Sequence, residues 1–115
     1  MSLLDKMKKA RESNVIINDV TFTIRRPTDF EAITQLDNQS SRDILSLFVM
    51  DWKGVKELDL IAGGSPEQVP FSTDVFLAWA EDNIEAWPLL VDAITEAYKA
   101  YKEKKEASLG KQKTG

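Results

Sequence analysis

With no Cys and no His among its 115 residues, the chain has only carboxylates, amines and hydroxyls with which to do chemistry. That composition removes thiol and imidazole nucleophiles, Ser/His and Cys/His catalytic pairs, Cys/His zinc sites, iron-sulfur ligation and disulfides. Two acidic groups remain to be weighed: Asp51 with Glu57 and Asp59, and Glu81 with Asp82 and Glu85. Acids so grouped act as paired general acid and base in hydrolysis, or as oxygen ligands for a hard cation. Neither group has a diagnostic spacing, and the loop lacks the Asp-x-Asp-x-Asp-Gly pattern of a calcium hand. Acids that flank loops mostly solvate and cap them, so the reading is that the chain is not an enzyme and uses no cofactor or metal.

Aromatic residues are the stronger signal, because Trp and Tyr are enriched at binding hot spots. The candidate partner-binding residues are Trp52, Trp79 and Trp87, with the stripe Leu90, Ile94, Tyr98 and Tyr101. For each Trp and for the stripe, core packing stands beside the partner reading. Tyr98 and Tyr101 run toward a charged tail where a small domain has little left to bury them, which favours an exposed groove there.

Charge narrows the partner class. The formal net charge of -4 divides into +2 over residues 1–12, -10 over residues 13–98 and +4 over residues 99–115. An acidic body repels phosphate, so nucleic acid is not an expected partner. The basic ends suit either the negative end of a last helix or ordered association, with a basic helical partner or with a second copy in a homo-oligomer. The longest apolar runs, such as Ile44 to Met50, fall far short of the roughly 18 residues of a membrane span, and no membrane partner is expected. The first residues show no secretory leader, which points to the cytoplasm.

The elements that position these residues follow from periodicity. Ser2 to Glu12 has Leu3, Leu4 and Met7 at helical spacing, a short amphipathic segment (1–12). Val15 to Ile17 and Val20 to Arg25 flank Asn18-Asp19 and read as a β-hairpin, with Phe22 and Ile24 on the packed face. Pro27 ends the second strand, and Thr28-Asp29-Phe30-Glu31 has the form of a capping box. The helix it opens carries Phe30, Ile33 and Leu36 as a single apolar stripe. Ser40 and Ser41 offer the cap of a further helix through Ile44, Leu45, Leu47, Phe48 and Val49, expected to be the most buried element. Trp52 to Pro70 has loop composition. Ser72 caps a helix with Phe76, Trp79 and Ala80 inward, and Pro88 either kinks one continuous helix or, as its missing donor favours, sits in the first turn of a separate amphipathic helix reaching about Glu106. The expected fold is α+β and mainly helical: an N-terminal β-hairpin packed against about four helices, in a single globular domain (13–106) with a disordered tail (107–115).

The order Asp51-Trp52-Lys53-Gly54-Val55, a Gly- and acid-rich linker, Val69-Pro70-Phe71-Ser72, a helix ending near Trp79 and a closing amphipathic helix resembles the small tail assembly chaperones of long-tailed bacteriophages and prophages. Ile24-Arg25-Arg26-Pro27-Thr28 is similar to the strand that runs into Arg-Pro-Thr in that family. The resemblance spans roughly residues 15–111, and the loop with Leu58, Leu60 and Ile61 is longer and more apolar than the family's. It implies a chaperone in viral morphogenesis that binds and solubilises the tape-measure protein in the host bacterial cytoplasm, helps recruit major tail protein to the growing tube, and is absent from the mature virion. It also implies a longer product made by a -1 ribosomal slip, for which Leu109-Gly110-Lys111 is the candidate frameshift junction. The rival classes are a head-tail connector, a tail-terminator adaptor and a small antitoxin-like regulatory module.

Overall fold

The computed structural model describes the backbone of residues 1–114 and the side chains of residues 1–109. The chain is α+β and mainly helical, with a small antiparallel sheet near its N-terminus. Helix α1 (Leu3–Ala10) opens with a capping box in which the Ser2 hydroxyl accepts from the Asp5 amide and the Asp5 carboxylate accepts from the Ser2 amide. Strands β1 (Glu12–Ile17) and β2 (Val20–Arg25) form the expected hairpin. Asn18 and Asp19 both take positive φ, 51° and 65°, as a two-residue turn between right-twisted strands demands. Asn and Asp tolerate this region better than other side chains.

Period-2 alternation holds along β2: Val20, Phe22 and Ile24 are buried, while Thr21, Thr23 and Arg25 face outward. On that outer face Thr23 Oγ1 donates to Asn14 Oδ1 of the opposite strand at 3.0 Å.

Helix α2 (Asp29–Thr34) has the predicted capping box, with Thr28 and Glu31 satisfying one another's amides. Helix α3 (Ser41–Phe48), capped by Ser40, buries Ile44, Leu45 and Phe48. It ends one residue earlier than expected, because Val49 begins strand β3 (Val49–Lys53). The hairpin is therefore part of a three-stranded sheet of order β1-β2-β3, and the reading of residues from Trp52 as plain loop is corrected at its first positions. Met50 is the extra residue of a bulge between the Thr23–Asp51 and Ile24–Val49 pairs.

A short helix α4 (Glu57–Leu60) follows, and backbone bonds from Glu57 to Glu67, Leu58 to Ser65 and Val69 to Val55 zip the rest of the segment closed. The stretch is a folded excursion rather than an open loop. Helix α5 (Thr73–Glu81), capped by Ser72, buries Phe76, Trp79 and Ala80 as its stripe predicts. The final helix α6 (Ala86–Thr114) carries Pro88 in its first turn, where a missing amide costs least. It continues past Glu106, where the sequence reading ended the helix, to Thr114, and Gly115 lies outside the described residues. Of the frameshift junction, Leu109 is helical and half-exposed, and the side chains of Gly110 and Lys111 lie outside the described residues.

The core lies between the inner face of the sheet and helices α3, α5 and the first half of α6. Phe22, Phe48, Phe76, Leu90 and Ile94 are fully enclosed there, each contributing about 1.5–3 kcal/mol by leaving water.

Candidate protein-binding surfaces

Four of the seven residues expected to meet a partner belong to that core instead. Trp52 is 4% exposed and Trp79 8%, and Leu90 and Ile94 are completely enclosed. The two Trp rings join Phe22, Phe71 and Phe76 in one aromatic cluster with centroid separations of 5.3–6.2 Å. Such edge-on and tilted pairs add about 0.5–1.5 kcal/mol each beyond the area they bury. The Trp52 indole donates to the Val69 carbonyl at 2.9 Å and that of Trp87 to the Ala80 carbonyl at 2.6 Å. Trp52 thereby locks the zipped segment onto β3, and half-buried Trp87 joins the start of α6 to the end of α5. Trp52, Leu90 and Ile94 are corrected as direct contacts, because a side chain already surrounded has no surface to offer; Trp79 keeps only a sliver of surface, and Trp87 is half-buried and held by its indole bond.

The far end of the stripe is also engaged, although it reaches the surface. Tyr98 donates to Asp29 Oδ1 at 2.9 Å, and Lys105 Nζ donates to Asp29 Oδ2 at 2.8 Å. The Lys105 bond, then the Tyr98 bond, hold the Asp29 carboxyl below its ordinary range. Burial, with the bond to Asp29, pushes the Tyr98 hydroxyl up. The Arg26 guanidinium lies over the Tyr101 ring at 3.5 Å, with Lys105 on the same ring at 5.6 Å. Tyr98 and Tyr101 are thus a clamp that fastens the second half of α6 to the end of β2 and the start of α2. They are half-buried rather than the open groove expected of them.

Apolar surface is exposed elsewhere. On α2, Phe30 is 70% and Ile33 80% exposed, so the stripe read as inward faces out and only Leu36 reaches the core. The helix is held by its first turn, not by its apolar face: Arg25 grips both Glu31 oxygens at 2.7 and 2.9 Å. On α1, Leu3, Leu4 and Met7 are exposed, and no residue of the helix is buried by the described residues. A cleft of about 450 Å³ lies between these helices, lined by Lys8, Arg11, Glu12, Arg25, Thr28, Glu31 and the bulged Met50. Sequence reasoning missed Phe30, Ile33 and Met50 as surface. The available signal was the length of α2: six residues bounded by a capping box and Asp37-Asn38 are too few to make a helix that packs by a stripe.

Several of the acids weighed at the outset serve local structure. Asp59 accepts from the Lys56 amide at 2.9 Å, Glu57 from the Ser65 amide at 3.3 Å, and Glu81 pairs with Arg42 at 3.3 Å. Among the described residues no cluster of three or more acids is grouped to hold a metal ion. No helix of the described residues is long and apolar enough to cross a membrane.

No family model, curated protein or solved structure matches the chain. Its functional reading therefore rests on these surfaces and on the resemblance of its motifs.

Proposed function

We propose that the chain is a non-catalytic tail assembly chaperone that binds the tape-measure protein and helps recruit major tail protein during tail tube assembly, acting in the host cytoplasm. The observation that carries the reading is the outward stripe of α2. Phe30 and Ile33, three residues apart on one helix, form an exposed apolar ridge. A long apolar helix needs such a ridge to cover its own exposed face, since two apolar surfaces leave water together. The acidic body, -10 over residues 13–98, favours a partner with basic flanks to its apolar face. Carrying the partner site on α2, not on the tryptophans, keeps binding separate from folding.

Co-expression with the tape-measure protein of the same phage tests this. The chain should raise the partner's solubility and be captured with it, and Phe30→Asp/Ile33→Asp should abolish capture while leaving the melting temperature within about 2 °C, as exposed substitutions do. Equal solubility and no capture with the unaltered chain refute the reading.

A further inference from the structure

Two further surfaces of the molecule match each other. Helix α1 is a basic amphipathic helix: Leu3, Leu4 and Met7 lie on one side, and at 100° per residue Lys6 and Lys8 border that stripe on its two flanks. Among the described residues nothing buries the stripe, and α1 takes no part in the main packing between elements. The second surface is a groove of about 350 Å³ between α4 and α5, lined by Ile61, Val75 and Trp79 together with Asp59, Asp74 and Asp82. Asp74 and Asp82 stand eight residues apart, about 12 Å along α5, and the eight residues of α1 span about the same length. A lining of apolar residues together with carboxylates is the complement of an apolar stripe flanked by lysines.

The two cannot meet within one molecule. The groove adjoins the Asn18-Asp19 turn, since Asp59 and Trp79 line a neighbouring pocket with those two residues. Helix α1 is joined to the opposite end of β1, six paired residues or about 20 Å away, and the β1–β2 ladder fixes that separation. We infer that α1 of one copy docks in the α4–α5 groove of a second copy, so that the chain assembles head to tail. Such an interface uses two different patches, leaves a free helix at one end and a free groove at the other, and propagates into rings or open filaments. The paired charges make it weaken as salt rises. The inference is independent of the function proposed above, which uses α2.

Sedimentation velocity of the full chain over a wide concentration range tests it. The unaltered protein should grow beyond a dimer as concentration rises, and less so at high salt. Leu4→Glu/Met7→Glu, with Lys6→Glu/Lys8→Glu as a second helix variant, and Ile61→Glu/Val75→Glu in the groove change exposed positions, and each should remain monomeric. Mixing a helix variant with the groove variant restores one functional pair, so a 1:1 heterodimer and nothing larger should form, which also shows that both variants are folded. An unaltered chain that stays monomeric, variants that assemble as it does, or a mixture without heterodimer overturns the proposal. Pairing of α1 with α1 would instead leave the groove variant dimeric, and that result overturns it too.

Discussion

Glu31 ties the first turn of α2 to the end of β2. Its carboxylate takes both guanidinium nitrogens of Arg25 and the Thr28 amide, while Arg25 stacks over the Phe48 ring at 4.6 Å. The Arg25 hydrogen bonds, helped by the Thr28 amide and opposed by burial, hold its carboxyl down to about 2 from 4.5. A depressed carboxyl pKa stabilises the fold above the unfolded value, and that contribution is lost as pH falls toward the folded one. Glu31→Gln should therefore cost about 1–2 kcal/mol at neutral pH, the worth of a cap and a partly exposed ion pair. The gap to the unaltered protein should narrow as pH falls from about 4.5 toward 2. Urea denaturation of both proteins at several pH values reads this directly, and a gap that stays constant would mean the carboxylate charge is not what stabilises the cap.

At the scale of elements, the end of β3 and the hairpin turn are built against one another. Gly54 has φ of 96°, and a Cβ added there would lie 3.0 Å from the Asp19 carbonyl oxygen. Gly54→Ala should cost about 1–3 kcal/mol, from the left-handed backbone and the crowded turn together, with thermal or chemical unfolding as the measure. The glycine of the Trp-x-Gly-Val motif thus has a reason in backbone geometry whatever the chain binds. Elements with a strong local code were legible in the sequence: the Asn18-Asp19 turn, the Thr28, Ser40 and Ser72 caps, the alternation of β2 and the first turn at Pro88. Strand β3 was not, because the bulge at Met50 breaks its alternation and its pairing with β2 spans more than twenty residues of sequence. The direction of the α2 stripe was hidden for a similar reason. Periodicity reports that a helix has an apolar side, and only tertiary packing decides whether that side is covered. The indole N–H groups of Trp52 and Trp87 are likewise taken up by backbone carbonyls that only the folded chain brings near.

Across the whole molecule, extents of 63 × 33 × 22 Å reflect one helix that outruns the core. The 29 residues of α6 span about 43 Å, and only the first turns are enclosed, at Ala86, Leu90 and Ile94. Beyond Ala97 the polar contacts to the body include the clamp at Asp29 and Arg26, and Ala100, Tyr101 and Lys104 also line a pocket with residues 10–13. Surface hydrogen bonds and a cation–π contact are worth little beside the core, yet they are a large share of what holds this half of the helix in place. Local opening there should then be governed by the clamp and be separable from global unfolding. Tyr98→Phe/Tyr101→Ala should leave the melting temperature lowered by only a few degrees, while amides from residue 98 onward exchange with solvent several-fold faster. Amides of residues 90–95, packed in the core, should keep their protection. Equal acceleration in both halves would mean that α6 opens as one unit with the core, and that the clamp stabilises the domain rather than its far end.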